Sequence, residues 1–240
     1  MPGLLVGTSG WNYDHWYNVF YPDDVAKKSR LGYYSTVFNT VEVNATFYRS
    51  FKHTTFQKWY DETPEDFTWA VKAVRYITHQ KRLNDVEDSI QMFMESIQPL
   101  KEKIGPVLFQ LPPSLQFNKE IVEKFLKLLP SGFRYVIEGR HQSWIEPDVQ
   151  LLLKDHNIAW CISDSAGKYP YLESITADYT YIRLHGSQKL YASNYTDDEI
   201  KHWADKIYKW NIDTYVYFDN DANGYAPLNA ASLINKYKNN

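Results

Sequence analysis

Short apolar runs recur about eight times along the chain, and nearly every run is followed by a segment of helical length and period. The runs cover residues 4–9, 38–44, 68–72, 107–111, 134–139, 158–164, 179–185 and 213–219. Between them, residues 23–34, 55–62 and 121–129 read as helices, and Val86, Ile90, Phe93, Met94, Ile97 and Leu100 share one face of another. Ser143 with Glu146 starts a further helix containing Leu151, Leu152 and Leu153. Asn84 with Glu87, and Thr196 with Glu199, have the spacing of helix N-terminal caps, and Pro227 suits the first turn of a closing helix. Residues 165–177 have no regular pattern. Strands alternating with helices imply a parallel sheet, and 240 residues is close to the ~250 that a closed barrel uses. The expected fold is a single α/β domain over residues 1–240, a (β/α)8 TIM barrel, with an open doubly wound sheet as the alternative. No linker or composition break divides the chain.

Side chains alternate faces along a strand, so the apolar set identifies the face packed on helices. Val41 and Val43 oppose Glu42 and Asn44; Ile182 and Leu184 oppose Tyr181, Arg183 and His185. Val216 and Phe218 oppose Tyr215, Tyr217 and Asp219, while Tyr135 and Ile137 oppose Val136 and Glu138, with Arg140 beyond. Extending the alternation adds Ser9, Lys72, Gln110 and Asp164. Every one of these polar residues is near the C-terminal end of its strand, where barrels carry their active sites. One account is a structural ion-pair lattice in which Lys72, Arg140 and Arg183 neutralise Glu42, Glu138, Asp164 and Asp219. The other is a ligand pocket, and paired charges can also position a ligand.

In the pocket reading Lys72, Glu138, Asp164, Arg183, His185 and Asp219 are the catalytic candidates. Ser9, Trp11, Glu42, Asn44, Tyr48, Gln110, Arg140 and Ser187 are the ligand-binding candidates. Lys72 can serve as an ion-pair partner, a proton shuttle or a Schiff-base former. Glu138 and Asp164 can divide acid and base roles if their surroundings separate their pKa values. Arg183 with the Gly186-Ser187 turn follows the seventh strand, a common phosphate position in barrels. No cofactor is assigned. A divalent metal would draw on Glu138, Asp164, His185 and Asp219, although only one of the seven histidines is expected at an inward strand end. Gly7-Thr8-Ser9-Gly10 lacks the Gly-Lys-Ser/Thr ending of a phosphate loop.

Net charge of −3 argues against a broad nucleic-acid surface and favours a polar small molecule as partner. Arg49, Lys52, His53, Lys168 and Lys189 are the best candidates for a nucleic-acid groove, and they read first as ordinary surface charges. Cys161 is the single cysteine and reads as a small core residue. The start is too quickly polar for a signal peptide, and no apolar run approaches the ~20 residues of a membrane span, so a cytoplasmic location is expected. The chain carries 20 Tyr, 12 Phe and 8 Trp, more than its core needs. Trp11, Tyr13, Trp16, Phe47, Tyr48, Trp144 and Tyr191 follow strands and form either rim packing or stacking surfaces.

The ordered blocks Gly7-Thr8-Ser9-Gly10-Trp11, Phe20-Tyr21-Pro22 and residues 41–48 resemble the YecE-like proteins. So do Gln110-Leu111-Pro112-Pro113-Ser114, Glu138-Gly139-Arg140-His141 with Ser143-Trp144, residues 181–186, residues 217–221, and Asn229-Ala230. This is a TIM-barrel family of unknown function, the seventy-second so numbered. The resemblance implies the barrel and no reaction, and its motifs coincide with the inward polar residues. One departure is Asp219, where the resemblance leads to an expectation of Asn. The leading expectation is acid–base or hydrolytic chemistry on a polar, phosphorylated or sugar-containing molecule. On that expectation, replacing Glu138 or Arg183 abolishes function and spares the fold. The alternatives are a metal-dependent nucleic-acid phosphodiesterase of the endonuclease-IV type, by fold analogy alone, and a non-catalytic metabolite or partner-binding module.

Overall fold

The strands of the computed structural model are Leu4–Thr8 (β1), Thr40–Val43 (β2), Thr68–Lys72 (β3), Ile104–Gln110 (β4), Tyr135–Glu138 (β5), Ala159–Asp164 (β6), Tyr179–Leu184 (β7) and Asp213–Phe218 (β8). The structure describes residues 3–239; Met1, Pro2 and Asn240, the ends of the expected 1–240 domain, lie outside the described residues. All neighbours are parallel, in the order β1-β8-β7-β6-β5-β4-β3-β2, so the sheet curls round until its two ends meet. That sequential order is a barrel and not a doubly wound sheet.

The seam between β1 and β2 is held differently from the other strand pairs. Direct pairing there is one bridge, Ser9 with Glu42, and the Gly10 N–H donates to the Glu42 carbonyl at 2.9 Å. Below it the Tyr34 hydroxyl, from the helix Arg30–Val37 (α1), takes the place of ladder bonds. It accepts from the Thr8 N–H at 3.0 Å and donates to the Thr40 carbonyl at 2.9 Å. Gly7 makes room for this: a Cβ there would stand 2.2 Å from the Thr40 oxygen and 2.8 Å from the Tyr34 hydroxyl.

The remaining helices are His53–Asp61 (α2), Glu87–Ile97 (α3), Lys119–Lys127 (α4), Pro147–Asp155 (α5), Asp197–Trp210 (α6) and Tyr225–Lys238 (α7). Among the described residues no helix joins β6 to β7, in line with the irregular stretch in the sequence. The expected Thr196/Glu199 capping box forms at the head of α6, and Pro227 falls in the first turn of α7. Three expectations are corrected. The helix expected over 23–34 begins only at Arg30, after a short 3-10 turn. Ser143 belongs to the 3-10 turn Gln142–Ile145, so α5 starts at Pro147. Asn84 does not cap α3: Val86 occupies that position, and the Asn84 amide instead donates to the Arg82 carbonyl at 3.0 Å. A π-helical turn at Tyr76–Gln80 and positive φ at Arg82, Leu83 and Asp85 reroute the chain there.

Burial separates two shells. Outward residues such as Val41, Val43, Ile137, Ile182, Leu184, Val216 and Phe218 join the core between sheet and helices. The inner shell holds Ala70, Leu108, Val136, Ala159, Cys161 and four tyrosines, Tyr179, Tyr181, Tyr215 and Tyr217. Small residues on β3 and β6 leave volume for large rings from β7 and β8, the alternation a filled barrel needs. Each buried ring still requires a partner for its hydroxyl. Tyr181 donates to Glu42 at 2.6 Å, Tyr179 donates to the Tyr135 carbonyl at 2.7 Å, Tyr217 shares a 2.7 Å bond with Thr40, and Tyr215 accepts from Arg134 at 2.7 Å. Cys161 is in this shell, where burial pushes its thiol well up, so it packs and does not react.

Candidate functional site

Arg183, the penultimate residue of β7, is 1% exposed and organises the C-terminal end of the barrel. Its Nε and Nη2 fork onto Glu42 at 2.9 and 2.8 Å, and Nη1 donates to Glu138 at 2.8 Å. Glu42 also accepts from Ser9 at 2.6 Å, Tyr181 at 2.6 Å and Asn44 at 3.0 Å. Burial alone would raise the Glu42 carboxyl, but Arg183 and these donors outweigh it and hold it below the ordinary 4.5. Glu138 is held well below 4.5 in the same way, against its burial, by Arg140 and Arg183. Two acids hidden from solvent thus stay ionised.

Asp219, one residue past β8, is less enclosed, with 20% of its side chain exposed. It accepts from His185 Nδ1 at 2.9 Å and from Arg183 at 3.4 Å. The other His185 nitrogen, Nε2, is 3.3 Å from Arg183 Nη1. A guanidinium can only donate, so this contact casts Nε2 as an acceptor and Nδ1 as the donor to Asp219.

Lys72 ends β3. Its ammonium donates to Gln110 Oε1 at 2.8 Å and stands 4.3 Å over the Phe47 ring. Gln110 Nε2 donates to Glu138 at 2.9 Å, which fixes the amide with its oxygen towards Lys72. Burial, with Arg183 nearby, lowers Lys72 from 10.5 to about 8. Arg140 donates to Glu138 at 2.7 Å and lies 4.2 Å from the centre of the Tyr169 ring. Gly139 allows that turn: a Cβ on it would come 2.4 Å from the Trp144 Cβ, so the Glu138-Gly139-Arg140 run packs against Trp144.

These groups surround a cleft of about 340 Å³ lined by Tyr13, Asn44, Tyr48, Lys72, Gln110, Arg140, Arg183, Tyr191 and Asp219. Of the ligand-binding candidates, Asn44, Tyr48, Gln110 and Arg140 line it, while Ser9 and Glu42 are buried behind it as positioning groups. Asn44 Oδ1 has no protein partner. Tyr48 is 76% exposed at the rim, whereas Trp16 and Trp144 are fully buried packing residues.

Several expected residues lie elsewhere. On β6, Ala159 and Cys161 face inward, so Ser163 takes the inward position and Asp164 turns out, accepting from Tyr195 at 2.8 Å. Burial raises the Asp164 carboxyl above 3.8, but it does not line the cleft and makes no pair with Lys72, Arg140 or Arg183. Trp11 packs edge-on against Trp59 and Trp69 in a neighbouring depression. Ser187 faces Glu199 at the head of α6. The four metal-ligand candidates do not converge: Glu138 is committed to arginines, Asp164 to Tyr195, and only His185 touches Asp219. Among the described residues no group of three His, Cys, Asp or Glu is placed to hold a metal ion. Arg49, Lys52, His53, Lys168 and Lys189 are exposed and do not line the cleft. Strand alternation missed Tyr169 and Tyr195, which come from loops whose path it does not describe.

A family model described as "Protein of unknown function DUF72" matches residues 5–240. The chain is 26% identical over 266 residues to the UPF0759 protein YunF of Bacillus subtilis, covering 96% of this chain and 93% of that protein. To the UPF0759 protein YecE of Escherichia coli K12 it is 29% identical over 139 residues, 58% of this chain and 48% of that one. The crystal structure of a DUF72 family protein from Thermotoga maritima superposes with a TM-score of 0.89 at 29% identity, covering 98% of this chain and 99% of that chain. A DUF72 family structure from Enterococcus faecalis, 20% identical with a TM-score of 0.84 and covering 98% of this chain and 96% of that one, shares the fold.

Proposed function

The chain belongs to the DUF72 family of proteins of unknown function, and from that premise, which supplies a barrel but no reaction, we propose that the cleft binds a small anionic polar molecule and performs acid–base chemistry on it. The carrying observation is Lys72, a buried ammonium that lines the cleft with an amide as its single hydrogen-bond partner and no carboxylate within 4.0 Å among the described residues. Glu42 is turned onto Arg183, and Glu138 onto Arg183 and the Nε of Arg140, so Lys72 offers the cleft an ammonium with no carboxylate partner, while Arg140 and Asp219 line the same cleft. A phosphate or carboxylate would engage Arg140, and substrate hydroxyls would meet Asn44, Gln110 and the tyrosines. A lysine lowered to about 8 exchanges a proton near neutral pH. Sugar phosphates and hydroxy acids fit this chemistry.

The test is calorimetry with a panel of sugar phosphates, hydroxy acids and the matching neutral sugars. Anions are expected to bind and neutral sugars not, and Arg140→Ala should weaken binding at least ~10-fold, about 1.4 kcal/mol. Equal binding of neutral sugars, or undiminished affinity in Arg140→Ala, would overturn the reading. Saturable binding with no product formed would move the assignment to a non-catalytic metabolite-binding module.

A further inference from the structure

Among the described residues two lysines are buried, and their surroundings differ in a chemically informative way. Lys103, 4% exposed, donates to the carbonyls of Tyr60 and Thr63 at 2.7 Å each and lies 3.4 Å from the Thr63 hydroxyl, so its three N–H groups are used. Lys72, 6% exposed, has one acceptor, the Gln110 amide oxygen, with the Phe47 ring on another side. A carboxylate in the place of Gln110 would stabilise the ammonium. A neutral amide orients the amine and leaves it free to lose its proton. The amide is itself held by Glu138, and its carbon chain, like that of Lys72, is packed, so the amine is aimed and not swinging.

We propose that Lys72 Nζ is a nucleophile that forms a Schiff base with the carbonyl carbon of a small oxo acid or phosphorylated aldehyde or ketone. The anionic group of that substrate would be held by Arg140. This inference rests on the anion-binding reading of the cleft and deepens it by naming the substrate class. The unprotonated amine donates its lone pair to the carbonyl carbon, and a C–N bond forms while the C=O π pair moves to oxygen. Proton transfer from nitrogen to oxygen gives a neutral carbinolamine. Protonation of its hydroxyl by solvent in the cleft lets the C–O bond break and water leave. The nitrogen lone pair forms the C=N bond, giving a protonated imine whose N–H proton can return to solvent. Amine and carbonyl become imine and water, with no change of oxidation state. The lowered pKa of Lys72 supplies the free amine at mildly alkaline pH.

The test is reductive trapping: the full chain is treated with glyoxylate or pyruvate and sodium cyanoborohydride, then digested and mapped by mass spectrometry. Lys72 is expected to be modified at least ~10-fold faster than any surface lysine, with Lys103 unmodified. Acetaldehyde, a carbonyl without the anionic group, should show no such preference. Lys72→Arg should lose the fast adduct while its circular dichroism and urea midpoint show a folded barrel. Labelling of Lys72 no faster than surface lysines would overturn the proposal. If sugar phosphates still bind calorimetrically in that case, only the covalent step fails; if they do not, the anion-binding reading fails with it.

Discussion

At the scale of single residues, the contest at the barrel mouth is between desolvation and pairing. Burial acts to protonate Glu42 and Glu138, and Arg183 with its neighbours reverses that. A carboxyl depressed in the folded state contributes stability that is present above its unfolded pKa and lost as pH falls through the folded one. Two other groups act at milder pH with opposite signs. His79, lowered to about 4 by burial, loses stability as pH falls below 6.5, whereas Asp221, raised to about 6 by burial, gains it between 6 and 3.8. These two oppose each other, and the acid limb is carried by the carboxyls held low: Glu42 and Glu138, with the less buried Glu173, Glu199 and Asp213 beside them. Urea unfolding across the acid range should show stability falling steeply below about pH 4.5, and Glu138→Gln should flatten that fall. An unchanged slope would show that Glu138 is not ionised as described. Residue-scale legibility followed the same physics. On β2, β5, β7 and β8 the apolar face was clear, and Glu42, Glu138 and Arg183 fell inward as expected. On β6 the inward set is Ala159, Cys161 and Ser163, small residues that carry no charge signal, so extending the alternation to Asp164 falls one residue out of phase.

At the scale of elements, strand bodies were readable because alternation repeats, while joins and caps depend on one or two local contacts. The Thr196/Glu199 box formed because both residues flank the first turn of α6; the Asn84/Glu87 pair has the same spacing but is displaced by the turn before α3. Nothing in the spacing of Tyr34 announces that its hydroxyl replaces ladder bonds between β1 and β2. Tyr34→Phe would leave the Thr8 N–H and the Thr40 carbonyl without their partner. An orphaned buried group costs ~1–3 kcal/mol, so the variant should lose at least ~2 kcal/mol in urea unfolding. Gly7→Ala should be worse, because its Cβ would have backbone, not a flexible side chain, 2.2 Å away. A Tyr34→Phe variant as stable as the parent would mean that the seam closes without the splice.

At the scale of the whole molecule, the polar ring is both brace and site, divided by depth. Ser9, Glu42, Arg183, Glu138, Gln110 and Lys72 form a hydrogen-bonded chain through β1, β2, β7, β5, β4 and β3, crossing the seam on the way. Its deep members tie strand ends together, and Lys72 at its end faces the cleft with Arg140 and Asp219, which branch from Glu138 and Arg183. Burial and pairing argue against the expectation that replacing Glu138 or Arg183 would spare the fold: both are 1% exposed and they pair with each other at 2.8 Å. Arg183→Met leaves the buried Glu42 without its cation and Glu138 with Arg140 alone, and removing one partner of a buried pair costs ~3–5 kcal/mol. If the loss comes from stranded charge and not from lost packing, neutralising the acids should return much of it. The triple variant Arg183→Met, Glu42→Gln, Glu138→Gln should then be more stable than Arg183→Met alone, a non-additivity that denaturant titration reads directly. A triple variant less stable than the single one would mean that the amides cannot satisfy the donors left by Ser9, Tyr181 and Gln110. The ring would in that case act as a hydrogen-bond scaffold first and an ion cluster second.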